Sequence, residues 1–373
     1  MVVVMIDQPG GRIVKPLPPG LFLDHESNAE MRWEAMNGLG DLVPADRFFV
    51  RNHTRTPLID VDAWRLRVFG SGLRGAPGRG GAVTFSYQDL LNLPAESVTA
   101  AIECAGNGRK FFTSQQNDPV PGTPWMLGAI GVARWRGVPL ATVLERAGLT
   151  QAAVDVMPQG LDPHYYEDGA DLGRVRRPLP VAKALSDALL AYEMNGRPLP
   201  PDHGFPLRLV VPGWAGVAST KWVGQIEVSA TPLASPWNTQ IYRLFGPGYP
   251  EGGAPITTQI VKSAFELAWN ATLAAGQEHV LPGRSWSGTG SIRQVEVSTD
   301  GGRSWRLAQP VAPGLDPVWR RWQIRWRPEH PGPYTLEARA TDVTGATQPP
   351  TARPNTMGYM FGGVVRHPVT AAR

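Results

Sequence analysis

The sequence predicts an α+β domain over residues 1–250 followed by an immunoglobulin-like β-sandwich domain over residues 251–373. Three observations carry that reading. Gly 42 and Pro 37 in 373 residues require many turns and favour loops and strands over a helical bundle. Hydrophobic residues at 42% against 18% charged are enough to fill the cores of two domains. The pattern also changes near residue 250, from strand-like runs mixed with short helix-like ones to short alternating runs between Gly, Pro and Asp turns.

Residues 1 to about 45 read as irregular, with a short helical stretch from Glu26 to Met36. Trp64 to Val68 alternates apolar and polar residues, as a half-buried strand does. Ser86 to Leu93 reads as a helix opened by a polar cap, and Val98 to Glu103 as a strand that delivers Cys104 to a glycine-bearing loop. Leu140 to Ala147 and Val181 to Leu189 read as helices; Leu207 to Val211 and Ile226 to Val228 read as strands. The Gly/Pro stretch from Gly246 to Pro255 is the expected linker. Beyond it, Val295 and Val297 run into the hairpin signal Asp300-Gly301-Gly302. Trp322, Ile324 and Trp326 share one strand face, and Tyr334, Leu336, Ala338 and Ala340 repeat that pattern, as a sandwich requires.

The net charge is +4, with no run of basic residues, so nucleic-acid binding is not indicated. The single cysteine excludes an intramolecular disulfide framework, and with it zinc and iron–sulfur sites that need several thiolates. The start, MVVVMIDQPGGR, lacks a basic segment followed by a long apolar one, and no run of eighteen apolar residues occurs. A cytoplasmic protein with no membrane span is therefore expected. There is no HExxH, no GxSxG and no GxxxxGK[ST].

A lone cysteine is most often a small packing residue. Cys104, however, opens Cys104-Ala105-Gly106-Asn107-Gly108-Arg109-Lys110. The glycines there allow a bulky ligand to approach, and the cations favour the thiolate that binds metal. Arg51, Asn52 and His53 form a second polar cluster. Asp202-His203-Gly204-Phe205-Pro206 with Arg208 forms a third, suited to a phosphate, and Ser219-Thr220-Lys221 adds further anion donors. Each cluster alone reads as a solvated strand end; together with a thiol loop they point to an anionic ligand.

These segments resemble the sulfite oxidase family over about residues 45–365. The resemblance rests on FFVRNH at 48–53, ECAGNGRK at 103–110, GAIGVARWRGVPL at 128–140, LLAYEMNGRPLPPDHGFPLRLVVPG at 189–213, KWVGQIEVS at 221–229 and VEVSTDGGRSW at 295–305. It implies a sulfite oxidase-type molybdopterin-binding domain, with molybdenum held by a pterin dithiolene and by the thiolate of Cys104. It places pterin and phosphate contacts on Phe49, Val50, Arg51, Asn52, His53, Asp162, His203, Arg208, Ser219, Thr220 and Lys221. The implied catalytic pocket for an oxyanion comprises Arg51, Arg109, Trp125 and Tyr242. Two departures from the family's pattern stand out. Gly108 replaces an arginine of the cysteine loop, and Met357 stands where sulfite oxidases carry an arginine near the C-terminus.

The resemblance implies molybdenum-dependent oxidation of sulfite, or a related small oxyanion, to sulfate. Electrons would pass to a separate acceptor, a cytochrome or oxygen, and the second domain would join two copies in a homodimer. The alternatives are a nitrate or S- or N-oxide reductase using the same site, and a non-catalytic binding or assembly protein.

Overall fold

The computed structural model describes residues 12–312 and 318–373; the start read for an export signal lies, through residue 11, outside the described residues. Two sheets frame the first half. One runs in the order Leu179–Pro180, Asp155–Gly160, Val223–Ser229, Arg65–Phe69, Val83–Ser86. The other runs Arg197–Pro198, Leu189–Met194, Ile130–Pro139, Glu96–Glu103, and Arg208–Val210 pairs with Leu189–Met194. Both pack apolar faces inward, as alternation along their strands dictates.

The expected helix from Glu26 to Met36 does not form. Phe22–His25 and Asn28–Met31 are antiparallel strands turning at Glu26, whose φ is +65°, and only Trp33–Met36 is helical, as a 3-10 turn. Asn28 through Met31 are all buried, so the strand has no alternation for a sequence pattern to show. Elsewhere the elements lie close to their expected places. Ser86 caps the helix Tyr87–Leu91 in a full capping box with Asp89. The helix beginning at Val181 stops at Ser186, because Leu189 already starts the next strand.

The second half is two sheets face to face. Lys262–Phe265, His279–Trp286, Trp319–Trp326 and Gln309–Pro310 form one; Ala271–Ala274, His367–Ala372, Gly332–Asp342, Ile292–Ser298 and Arg306–Leu307 form the other. Leu281, Trp322, Ile324 and Trp326 meet Val295, Val297, Leu336 and Ala338 between them. The Gly/Pro stretch read as a linker is held: Arg243–Leu244 pairs antiparallel with Ala254–Pro255 and closes it into a ribbon.

The halves share one core. Ala264, Trp286 and Trp319 of the second half pack in the same cluster as Phe48, Trp125 and Trp135 of the first. Buried Arg284 pairs with Glu266 and donates to the carbonyls of Leu39 and Gly40 at 3.0 and 2.9 Å. No helix among the described residues is long and apolar enough to cross a membrane.

Candidate active site

Cys104 leaves the end of the strand Glu96–Glu103 still tied to its neighbour. Its amide donates to the Ala129 carbonyl at 2.9 Å, and its own carbonyl accepts from the Asn107 amide at 2.9 Å. The Gly106 amide donates to Cys104 Sγ at 3.4 Å, so the loop turns its backbone towards the sulfur. A side chain at Gly106 would strike Trp125 and the Arg109 guanidinium, whose nearest atoms stand at 2.9 and 3.0 Å from the place of a Cβ. At Gly108 φ is +88° and Phe361 Cβ would be 3.1 Å away. The arginine that the family's pattern places there would be strained at this φ and would need Phe361 to shift.

Cys104 is 7% exposed and stands where two cavities meet. Arg51, Asn52, His53 and Tyr242 line both. The inner cavity continues to Phe49, Asp162, His203, Arg208, Ser219, Thr220 and Lys221. The outer one, about 710 Å³, opens past Arg109, Trp125, Tyr165, Met357 and Tyr359. All the site residues expected from the sequence therefore converge except Val50. Its buried side chain lines neither cavity, because alternate residues of a strand point to opposite faces and Phe49 and Arg51 take the cavity side.

The inner cavity is short of negative charge. Lys221 Nζ donates to Asn52 Oδ1 and, at 2.8 Å, to the Asp202 carbonyl. Arg208 donates to the His203 carbonyl at 3.2 Å and lies 5.2 Å over the Trp135 ring. Burial pulls the Arg208 pKa down to about 9. It also holds Lys221 well below the ordinary lysine value, with Arg208 pushing the same way. Desolvation keeps His203 neutral and raises Asp162 to about 6. Three buried atoms here have no hydrogen-bond partner among the described residues: Arg208 Nε, Thr220 Oγ1 and Asp162 Oδ1. Buried polar groups are ordinarily satisfied. A ligand carrying both anionic oxygens and N–H groups, as a pterin phosphate does, fits this set of two donors and one acceptor.

The outer cavity is built to hold cations in place. Arg109 donates from Nε to the Met357 and Gly358 carbonyls, both at 3.2 Å, and from Nη1 to the Thr123 carbonyl at 3.1 Å, with Tyr359 5.0 Å beneath it. Arg51 donates to Asn28 Oδ1 at 3.3 Å. Tyr242 Oη is 2.8 Å from His53 Nε2. Burial raises the Tyr242 pKa and depresses that of His53, where Arg51 adds to the effect, so the pair is neutral. The wall is the hairpin Tyr165–Glu167 and Ala170–Gly173, turning at Asp168-Gly169, both with positive φ.

The chain carrying this arrangement is similar to known proteins. The sulfite oxidase of Gallus gallus is 34% identical over 359 residues, 91% of this chain and 75% of that protein. The chain belongs to the sulfite oxidase family. Residues 53–237 match the oxidoreductase molybdopterin binding domain, and residues 256–370 the Mo-co oxidoreductase dimerisation domain. The mitochondrial sulfite oxidase of Rattus norvegicus is 35% identical over 84% of this chain. The chain spans 58% of that relative's length. The crystal structure of the sulfane dehydrogenase SoxCD from Paracoccus pantotrophus superposes with a TM-score of 0.78 at 26% identity, over 94% of this chain and 84% of that one.

Sequence reasoning missed several residues that this member of the sulfite oxidase family uses to brace the site. Asn28 Oδ1 accepts from the Asn52 amide at 3.0 Å as well as from Arg51. Asp202 accepts from Thr56 Oγ1 and from the Val14 and Lys15 amides, 3.0 and 2.7 Å away. Tyr165 and Tyr359 come from segments far apart in the chain. Only Asp202 had a signal, as the neighbour of His203; the rest depend on long-range pairing.

Proposed function

We propose that the chain oxidises sulfite to sulfate by oxygen-atom transfer at a molybdenum–molybdopterin centre, with Cys104 as its protein ligand. The observation that carries this reading is the position of the chain's single thiol. It lies between an inner cavity where Arg51, Arg208 and Lys221 outnumber Asp162 and Asp202, with Arg208 Nε and Thr220 Oγ1 unpartnered among the described residues, and an outer cavity that presents Arg51, Arg109 and Tyr242. Arg208, Lys221, Ser219 and Thr220 would hold the pterin phosphate, with His203, Asp162, Asn52 and Phe49 along the rest of the cofactor. The bound metal supplies the two-electron, oxygen-atom chemistry.

The chain's own residues bind and orient the substrate. Arg51 and Arg109 face a small oxyanion with two fixed positive charges, and the carbonyls that grip Arg109 keep it from following the anion out. Such charge-assisted contacts, preorganised by the carbonyls around Arg109, contribute on the order of 2 kcal/mol each. Tyr242 stays protonated at neutral pH, so its hydroxyl donates a hydrogen bond, and His53 fixes its direction. Trp125, fully buried, forms a rigid wall.

Electrons leave for a separate acceptor, a cytochrome or oxygen, and the second domain is proposed to join two copies in a homodimer. A cytoplasmic location is the accompanying proposal. Met357 on the outer wall favours a second reading, reduction of nitrate or of an S- or N-oxide, because an apolar side chain there relaxes selection for a doubly charged anion. Two measurements test the proposal: molybdenum and pterin per chain, and dye reduction with sulfite, with nitrate and S-oxides as competing substrates. Stoichiometric molybdenum with rapid sulfite-dependent dye reduction is expected. Dye reduction no faster than in cofactor-free protein would overturn the sulfite reading, and absence of molybdenum would leave a binding protein.

A further inference from the structure

The loop that carries Cys104 is gripped from the second half of the chain. Glu103, the residue before the thiol, is buried, and both its carboxylate oxygens are taken by that half. Lys262 Nζ lies 2.8 Å from Oε1 and Trp286 Nε1 3.0 Å from Oε2. Lys262 also donates to the Asn107 carbonyl at 2.9 Å, and Asn107 Nδ2 returns to Glu103 Oε1 at 3.0 Å. Asn107 Oδ1 accepts from the Ala129 amide at 3.2 Å, closing the loop onto the neighbouring strand. On the other side of the thiol the Met360 amide donates to the Ala105 carbonyl at 2.7 Å, and Phe361 lies over Gly108.

We propose that Lys262 and Trp286 are positioning residues for the metal ligand: the second domain, through Glu103 and Asn107, sets where Cys104 Sγ sits. The inference rests on the reading of Cys104 as that ligand. Lys262 and Glu103 are side-chain exposed by only 6% and 5%, so solvent screens their attraction little. A buried pair is weak evidence for stability, since apolar residues often replace it without loss. Its value lies in direction. A carboxylate with two fixed donors, in the residue joined to the thiol, leaves the loop one arrangement. The second domain thereby has a task inside the active site besides any contact between subunits.

The chain has one cysteine, so alkylation of native protein by N-ethylmaleimide reports Cys104 alone. In protein produced without molybdenum cofactor, Lys262→Met is expected to raise the alkylation rate about tenfold, and Trp286→Phe severalfold. If Lys262→Met leaves Glu103 uncompensated and fails to fold, the double variant Glu103→Gln/Lys262→Met keeps the fold neutral. It is expected to alkylate faster than wild type, because the hold on the Asn107 carbonyl is gone. Val297→Ala, in the sandwich core and away from the loop, serves as the control: it lowers Tm but leaves the rate unchanged well below Tm. In loaded protein the Lys262 variants should shift the sulfur-to-metal absorption band and lower kcat more than they change KM. A folded Lys262 variant and a double variant that both alkylate at the wild-type rate would overturn the proposal. Wild-type protein free of molybdenum would instead overturn the ligand reading, whatever the alkylation rates show.

Discussion

At the scale of single residues, the site separates groups that bind from groups that only fit. Cys104→Ser is expected to keep the fold and lose molybdenum, which metal analysis of the purified variant checks; full metal content would remove Cys104 from the ligand role. Asp162 is a sharper case. Its carboxyl is buried with one oxygen unpartnered, and burial lifts its pKa from 3.8 to about 6. The folded chain therefore holds the proton more tightly than the unfolded one. Stability falls as pH rises from about 4 to 6 and stays lowered above that, by about 3 kcal/mol at about 1.4 kcal/mol per pH unit. Asp162→Asn should raise the unfolding free energy of cofactor-free protein at pH 7.5 while lowering pterin retention, a trade common at binding sites. Equal stability of variant and wild type at pH 7.5 would show that the cost is absent. The lost arginines differ in kind. Gly108→Arg forces a side chain onto positive φ beneath Phe361 and should destabilise without tightening sulfite binding. Met357→Arg places a cation in the outer cavity and should lower KM for sulfite severalfold, read from initial rates.

At the scale of elements, the hairpin Tyr165–Glu167 and Ala170–Gly173 divides recognition from cofactor binding, since it borders the outer cavity alone apart from its neighbour Val175. Shortening it by removing residues 167–170 is expected to raise KM for sulfite and leave molybdenum content unchanged. Loss of metal in that variant would show that the hairpin also shelters the inner cavity. This element also marks where the sequence is readable. Its Asp168-Gly169 turn is an ordinary hairpin signal, yet nothing local says that Tyr165 will meet His53, 5.3 Å away between ring centres. The stretch from Trp322 to Trp326 was legible because burial alternates along it, Trp322, Ile324 and Trp326 inward and Gln323 and Arg325 outward. The strand Asn28–Met31 was not, because it is buried throughout. The cysteine loop and the cationic clusters were legible as chemistry. Their convergence needed a family likeness, since pairing between distant strands leaves no periodic trace. The braces Asn28 and Thr56 and the clamp on Glu103 stayed hidden for that reason.

At the scale of the whole molecule, the two halves meet across a seam whose protonation is predictable. His367, on the strand His367–Ala372, packs against Trp269 and Phe265 with ring centres 5.0 and 6.0 Å apart. Its Nε2 lies 3.1 Å from the Ala268 carbonyl, and its Nδ1 is buried with no partner among the described residues. The same ring borders a small cavity shared with Glu30, Trp33 and Met126 of the first half. Burial lowers the His367 pKa from 6.5 to about 4. The unfolded chain thus accepts a proton that the folded chain refuses. The contribution is complete above pH 6.5 and is lost as pH falls from 6.5 towards 4. Between pH 7.5 and pH 5 it amounts to about 2 kcal/mol. His53 and His203, also held neutral by burial, act in the same direction, while Asp162 in the same cavity takes up its proton in the folded chain and opposes them. Urea unfolding of cofactor-free protein at the two pH values measures the total. His367→Gln keeps a donor for the Ala268 carbonyl but does not titrate, and should reduce the loss by about 2 kcal/mol. An unchanged pH dependence in that variant would mean that His367 already accepts its proton in the folded chain, and that the seam is open to water.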